Sequence, residues 1–348
     1  MHTSCIYFST QHLIIIKHMS KANYIKENIF EIKTLYDFKE LSVEVFRYQY
    51  KNNGVYKKYV DLINCKPEHV RQVQDIPFLP IEFFKNHKII SSNKQEEIVF
   101  LSSGTTSTVQ SKHYVTDTEI YKSSFIKSFN LFYGKPEDYT ILALLPNYLE
   151  QGSSSLIFMV DELIKQSKDV NSGFYLYNHA ELLHKITDLK NGNKKVLLIG
   201  VSYALLDLPV IDKTIFKDVV VLETGGMKGK RKETTKSELH HILREKFQVE
   251  NIHSEYGMTE LLSQAYSQDK GLFKSPPWMK ILIRDTYDPF SYLPEGKSGG
   301  INIIDLANIN SCAFIETKDI GKLSPNNQFE VLGRFDNSDI RGCNLMVN

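Results

Sequence analysis

From residue 97 onward, short apolar runs rich in β-branched residues alternate with longer stretches of helical periodicity. Residues 97–101, 141–145, 194–200, 219–222 and 249–253 read as strands, and 156–167 and 236–247 as helices. Strands that follow one another through a helix are parallel, because the crossover must carry the chain back to the same end of the sheet. The sequence therefore predicts an α/β chain with a helix-covered, mainly parallel sheet. Beyond Pro276 the rhythm changes. The runs 279–284, 300–304, 312–316 and 328–332 are separated by turn residues alone, which predicts a β-rich closing subdomain.

Ahead of the alternation, Ile29, Ile32, Tyr36, Leu41 and Val45 recur at roughly helical intervals as far as Tyr50, and Asn52-Asn53-Gly54 breaks the pattern. A second helical piece over 56–63 leads to Ile76-Pro-Phe-Leu-Pro80, whose prolines predict an extended segment. Together these read as a helical cap over something larger.

The 42 lysines and arginines stand against 41 aspartates and glutamates, so no standing field favours nucleic acid. Cys5, Cys65, Cys312 and Cys343 are far apart and form no C-x-x-C pair, which suits a reducing cytoplasm better than a disulfide scaffold or a zinc site. No apolar run is long enough for a membrane span, and the patch over 13–16 lacks the basic leader and cleavage site of a signal peptide.

Two clusters carry chemistry. Ser102-Ser103-Gly104-Thr105-Thr106-Ser107-Thr108 follows a strand, and its hydroxyls and free N–H groups suit either a phosphate-cradling loop or a solvated linker. It is not a Walker loop, since G-x-x-x-x-G-K-[ST] is absent. Tyr256-Gly257-Met258-Thr259-Glu260 sets a hydroxyl beside a carboxylate near a strand end. That pair suits a phosphoryl oxygen with its Mg²⁺, or equally a helix cap with a first-turn acid.

Taken together, and followed in order by Thr317-Lys-Asp319-Ile-Gly321 and Gly333-Arg334-Phe-Asp336, with Glu223-Thr-Gly225-Gly226 between the two clusters, the pattern resembles the adenylate-forming superfamily. Within it the chain is most similar to the acyl-protein synthetases of the LuxE type. That likeness rests on Ile76-Pro-Phe-Leu-Pro-Ile81, Phe84-Lys85, Gly225-Gly226-Met-Lys228 and Gly342-Cys343. Phenylacetate:CoA ligases are more distant relatives.

The resemblance implies the large N-terminal domain of an adenylate-forming enzyme, without the full mobile C-terminal domain that carries a catalytic lysine. The implied divisions are a disordered or mis-started extension over 1–19, the helical cap over 20–95 and an α/β nucleotide-binding core over 96–275. The β-rich subdomain over 276–333 and a hinge remnant with a tail over 334–348 complete them. It further implies ATP and Mg²⁺ as cofactors. Ser103, Gly104, Thr105 and Thr106 would hold the β- and γ-phosphates, and Gly225 and Gly226 would border the adenine. Tyr256 and Gly257 belong to the nucleotide site, Thr259 would contact the α-phosphate and Glu260 would bind Mg²⁺. Asp319 would accept from the ribose hydroxyls, with Arg334 beside it.

Activation of a fatty or related carboxylic acid as acyl-AMP, and its transfer to Cys343 as a thioester, follow as expectations. A reductase, acyltransferase or acyl carrier protein would take the acyl group onward. CoA or a separate carrier as direct acceptor, or a non-catalytic acyl-binding subunit, are the alternatives. Outside the motifs, His113 is a candidate to reach a phosphate or the acyl carboxylate and His253 to line the acyl pocket, each with an ordinary polar or packing role as the alternative. His240-His241 lacks a third ligand at metal spacing and reads as a helix face. The basic run over 228–232 reads as a solvated turn.

Overall fold

The computed structural model describes residues 20–103, 109–146, 153–190, 192–225 and 235–335. Nine α-helices are present among the described residues: α1 (Lys21–Ile29), α2 (Leu35–Asn52), α3 (Gly54–Leu62), α4 (Phe83–Asn86), α5 (Thr118–Tyr133), α6 (Ser155–Ser167), α7 (His179–Leu189), α8 (Ser202–Asp207) and α9 (Lys236–Phe247). The strands are β1 (Leu79–Pro80), β2 (Ile98–Leu101), β3 (Lys112–Val115), β4 (Tyr139–Leu144), β5 (Gly173–Tyr175), β6 (Lys195–Val201), β7 (Val219–Thr224), β8 (His253–Tyr256) and β9 (Ala265–Ser267). They continue with β10 (Met279–Arg284), β11 (Ser298–Asp305), β12 (Phe314–Ser324) and β13 (Gln328–Arg334).

The central sheet has six strands in the order β5-β4-β6-β7-β8-β9. All its pairings are parallel except the last, β8 with β9. Strand β4 is buried at every position, as a strand covered by helices on both faces must be. The expected α/β layout is thus present, with one shift. Residues 249–252 form no strand. Gln248 caps α9 in the left-handed conformation, and the following residues carry the chain back to the sheet, which it joins only at His253. Ile252 is apolar because it packs into the core, not because it pairs.

Helix α5, absent from the strand and helix reading above, supplies much of the core. Its residues Tyr121 and Phe125 meet edge to face at 4.9 Å, and Phe158 of α6 stacks on Tyr121 at 5.6 Å. Burying one such ring contributes about 2 to 3 kcal/mol. Among the described residues no helix is long and apolar enough to cross a membrane.

The second sheet joins β10, β11, β12 and β13 in antiparallel fashion, and β1 adds to it in parallel, Leu79 opposite Ile315. The prolines of the N-terminal region therefore place a strand in the β-rich subdomain. Gln49 of α2, fully buried, fastens the same junction. Its amide donates to the carbonyls of Asn308, Ile309 and Ser311 at 2.9, 3.0 and 3.2 Å, and its oxygen accepts from the Ala313 N–H at 3.0 Å. The helices of the N-terminal region and the closing subdomain are one packed unit at this point.

Candidate active site

Strands β2 and β3 form a hairpin whose connection carries the Ser/Thr cluster. Its base is pinned twice: the Ser102 N–H donates to the Ser111 carbonyl at 3.0 Å, and the Ser111 N–H to the Ser102 hydroxyl at 2.9 Å. Gln110 adds a third link, its amide donating to the Ser102 carbonyl at 2.7 Å. Ser103 stands exposed where the described chain leaves β2; Gly104, Thr105, Thr106, Ser107 and Thr108 lie outside the described residues. The hairpin fixes where the loop starts and ends.

Tyr256 is the last residue of β8, at the carboxyl end of the parallel sheet, where open α/β sheets bind ligands. Its ring is held between Phe273 at 5.9 Å and Phe329 of β13 at 5.6 Å. Gly257 follows for a steric reason, since a Cβ there would collide with the Glu255 carboxylate. No helix begins at Thr259, so that residue is not a cap; residues 257–264 are irregular backbone. Glu260 is buried to 5% exposure. Burial pushes its carboxyl above the ordinary range, while the Ser111 hydroxyl and the more distant Arg334 charge favour the ionised form and Asp319 opposes it.

The antiparallel sheet delivers the remaining pair. Asp319 on β12 and Arg334 on β13 are register partners, and Arg334 Nε lies 3.3 Å from Asp319 Oδ1. The Tyr256 hydroxyl donates to Asp319 Oδ2 at 2.7 Å. A carboxylate offers about four acceptor positions. Two are occupied here, which leaves capacity for two further donors, the number a ribose presents.

Three of the expected residues, Tyr256, Asp319 and Arg334, thus meet from two sheets, and Glu260 lies on the irregular segment that follows Tyr256. Gly225 directly follows β7, which pairs with β8, and is exposed with open space where a Cβ would stand. Gly226, Asp336, Cys343 and the basic run over 228–232 lie outside the described residues. His253 sits apart, at the opposite end of β8 from Tyr256, its Nδ1 3.2 Å from the Tyr133 hydroxyl. Burial holds its pKa down to about 4, the behaviour of a packed, neutral imidazole. His113 is buried on β3, Nδ1 2.8 Å from the Thr259 carbonyl.

Several neighbours of the site carry no motif. Ser111 favours the ionised form of the Glu260 carboxylate, and Asn308 donates to the Glu260 carbonyl at 2.6 Å. Behind the site, Glu223 and Glu255 are buried on adjacent strands. Glu223 is desolvated, yet Lys236 at 2.5 Å, His240 and Ser254 hold it below the usual carboxylate range. Glu255 is instead pushed up to about 7 by burial and by the Glu223 charge, although Thr224 donates to it at 2.6 Å. The acid directly before Tyr-Gly was the signal the sequence offered, though not its burial.

With this geometry in place, a sequence model of the LuxE acyl-protein synthetases matches residues 30–124 and 152–348. The chain belongs to the LuxE acyl-protein synthetase family. A comparison of this LuxE-family chain with curated protein sequences gave no match. Among solved structures, ATP-bound MatB from Rhodopseudomonas palustris is similar with a TM-score of 0.52 at 16% identity, over 68% of this chain and 47% of that one. An open conformation of 2-hydroxyisobutyryl-CoA ligase, in complex with 2-HIB-AMP and CoA, gives 0.65 at 10% identity over 88% and 72%. The LuxE-family chain therefore has the fold of adenylate-forming enzymes, and spans about half the length of MatB, 47%.

Proposed function

We propose that this chain is an ATP-dependent ligase that activates a fatty or related carboxylic acid as acyl-AMP and passes the acyl group to a thiol. The observation that carries the reading is the joining of Tyr256, Asp319 and Arg334 at the carboxyl end of β8, within electrostatic reach of the buried Glu260 carboxylate. An acceptor and a cation from the antiparallel sheet and a buried carboxylate beyond the parallel strand support such a site.

The donor set fits Mg²⁺ bound through substrate. Among the described residues no group of three His, Cys, Asp or Glu could hold a metal. Mg²⁺ commonly takes only one or two carboxylates together with phosphate oxygens, and Glu260 offers one buried carboxylate whose charge a cation would offset. The ion would neutralise charge on the phosphoryl oxygens. Asp319 and Arg334 would seat the ribose, and Ser103 to Thr106 the outer phosphates.

In the first step a substrate carboxylate oxygen bonds the α-phosphorus and the bond to the β-phosphate oxygen breaks, releasing pyrophosphate. In the second, a thiolate attacks the acyl carbon and AMP leaves; the thiol proton goes to solvent. Family membership supports Cys343 as that thiol, with the acyl group handed on to a reductase, acyltransferase or carrier protein. CoA is the second acceptor to weigh, because the structurally similar 2-hydroxyisobutyryl-CoA ligase is described with CoA bound.

Carboxylate-dependent exchange of labelled pyrophosphate into ATP tests the reading over a panel of fatty and aryl acids. Exchange that requires both an acid and Glu260, and is lost in Glu260→Gln, is the expected result. Folded protein that exchanges with no acid would overturn it.

A further inference from the structure

Residues 257–264 carry the Thr259-Glu260 pair yet belong to no helix or strand, so no ladder of backbone hydrogen bonds sets their direction. Side chains from two distant segments do this instead. Ser111 and His113 are two residues apart on and just before β3, and so leave the same face. Both are buried, at 4% and 1% exposure. The Ser111 hydroxyl favours the ionised Glu260 carboxylate, and His113 Nδ1 lies 2.8 Å from the carbonyl oxygen of Thr259.

From the other side comes the 3-10 turn Leu306–Asn310 that follows β11. Asn308 donates from Nδ2 to the Glu260 carbonyl at 2.6 Å. Asp305, which begins that turn, accepts from the N–H groups of Leu262 and Ser263 at 2.8 and 3.0 Å. The two successive carbonyls of the Thr259-Glu260 pair are therefore each fixed by a buried side chain. Burial holds His113 down to about 4, against the Thr259 carbonyl and the Asn308 side chain that favour its proton. The ring is thus neutral at pH 7, and since Nδ1 faces a carbonyl it is Nδ1 that carries the hydrogen. Phe84 of α4 packs edge-on against the ring at 5.8 Å and keeps it there.

We propose that His113 and Asn308 form a positioning clamp, holding the Thr259 and Glu260 carbonyls so that the Glu260 carboxylate stays aimed at the Ser111 side of the site. His113 then acts through the Thr259-Glu260 backbone and does not touch the acyl substrate. The inference rests on the reading of Glu260 as the Mg²⁺-binding carboxylate given above.

The test is a Mg²⁺ titration of pyrophosphate exchange, with equilibrium binding of Mg-ATP measured alongside, on the full chain. His113→Ala and Asn308→Ala should raise the half-saturating Mg²⁺ concentration about tenfold and lower kcat about tenfold, with KM for the acid changed less than about twofold. His113→Asn, whose amide nitrogen stands close to the place of Nδ1, should recover Mg²⁺ half-saturation to within about threefold of wild type.

Alanine variants that are folded by circular dichroism and keep the wild-type Mg²⁺ requirement would overturn the clamp. So would a His113→Asn protein as impaired as His113→Ala with a raised KM for the acid, which would make the ring a substrate contact. If His113→Ala does not fold, Asn308→Ser carries the same comparison. Wild type that binds Mg-ATP but exchanges with no acid defeats the ligase reading alone, and the binding measurement then judges the clamp. Wild type that binds no Mg-ATP overturns both.

Discussion

The Tyr256 hydroxyl donates to Asp319 at 2.7 Å, joining the end of a parallel strand in one sheet to the middle of an antiparallel strand in the other. The bond occupies one Asp319 oxygen and aims the other toward Arg334. A hydrogen bond to a charged group contributes about 1.5 to 3 kcal/mol. Tyr256→Phe is therefore expected to raise KM for ATP by about tenfold with a smaller change in kcat, and Asp319→Asn to do so more strongly. Steady-state exchange kinetics over a range of ATP concentrations checks both. A Tyr256→Phe enzyme with unchanged KM for ATP would separate the tyrosine from the ribose side of the site.

Residues in short runs that resemble a known family's motifs could be picked out without coordinates. Tyr256, Glu260, Asp319 and Arg334 belong to short runs whose order along the chain survives folding, and the parallel sheet beneath them was visible as alternation. Ser111, Asn308 and Gln49 could not be found in that way. Asn308 and Gln49 act on backbone groups far away in sequence, Gln49 across more than 250 residues, and Ser111 acts on the distant Glu260 carboxylate; a lone polar residue does not announce such a partner. Helix α5 was legible in principle, through Tyr121, Phe125, Phe129 and Tyr133 at four-residue spacing. The strand displaced to His253–Tyr256 shows the converse, since apolar residues such as Ile252 mark burial before they mark pairing.

Cys343 lies outside the described residues, and its proposed role rests on family membership. If it takes the acyl group, Cys343→Ser should keep pyrophosphate exchange within about twofold of wild type, because no protein nucleophile enters the first step. The same variant should lose at least about nine-tenths of the protein-bound label from a radioactive acid, read after denaturing electrophoresis. Equal labelling of both proteins would direct the acyl group to CoA or a carrier.

Gln49 satisfies three carbonyls and one N–H in the core between α2 and the turn Leu306–Asn310, the turn that also holds Asn308. Gln49→Leu fills the space; Asn308 O still accepts from the Ser311 N–H and Ser311 O from Asn53 and Ser91, but the Ile309 carbonyl and the Ala313 N–H lose their partner, at a cost of about 1 to 3 kcal/mol for each that finds no water. A net loss of about 3 kcal/mol is expected from denaturant unfolding, with m unchanged. Because the turn holds Asn308, the half-saturating Mg²⁺ concentration should rise in the same variant even at temperatures where it stays folded. A loss below about 0.5 kcal/mol would show that the junction does not depend on this side chain.

Glu255 gives a pH dependence whose sign follows from its burial. Its pKa is raised from an ordinary 4.5 to about 7 in the folded protein, by desolvation and the adjacent Glu223 charge. The native state therefore binds this proton more tightly than the unfolded chain. Its stabilising effect is complete below pH 4.5 and is lost as the pH rises through 7. Glu223 behaves oppositely, since its depressed pKa removes stability as the pH falls below 4.5. His113 and His253, both held near 4, lose stability as the pH falls through 6.5 and so partly mask Glu255 in the wild-type profile. The comparison that isolates it is wild type against Glu255→Gln, which keeps an acceptor for Thr224 but cannot ionise. The variant should gain roughly 2 to 3 kcal/mol relative to wild type between pH 5 and pH 8, measured by denaturant unfolding at each pH. A difference that stays flat across that range would place the proton elsewhere in the Glu223 and Glu255 pair.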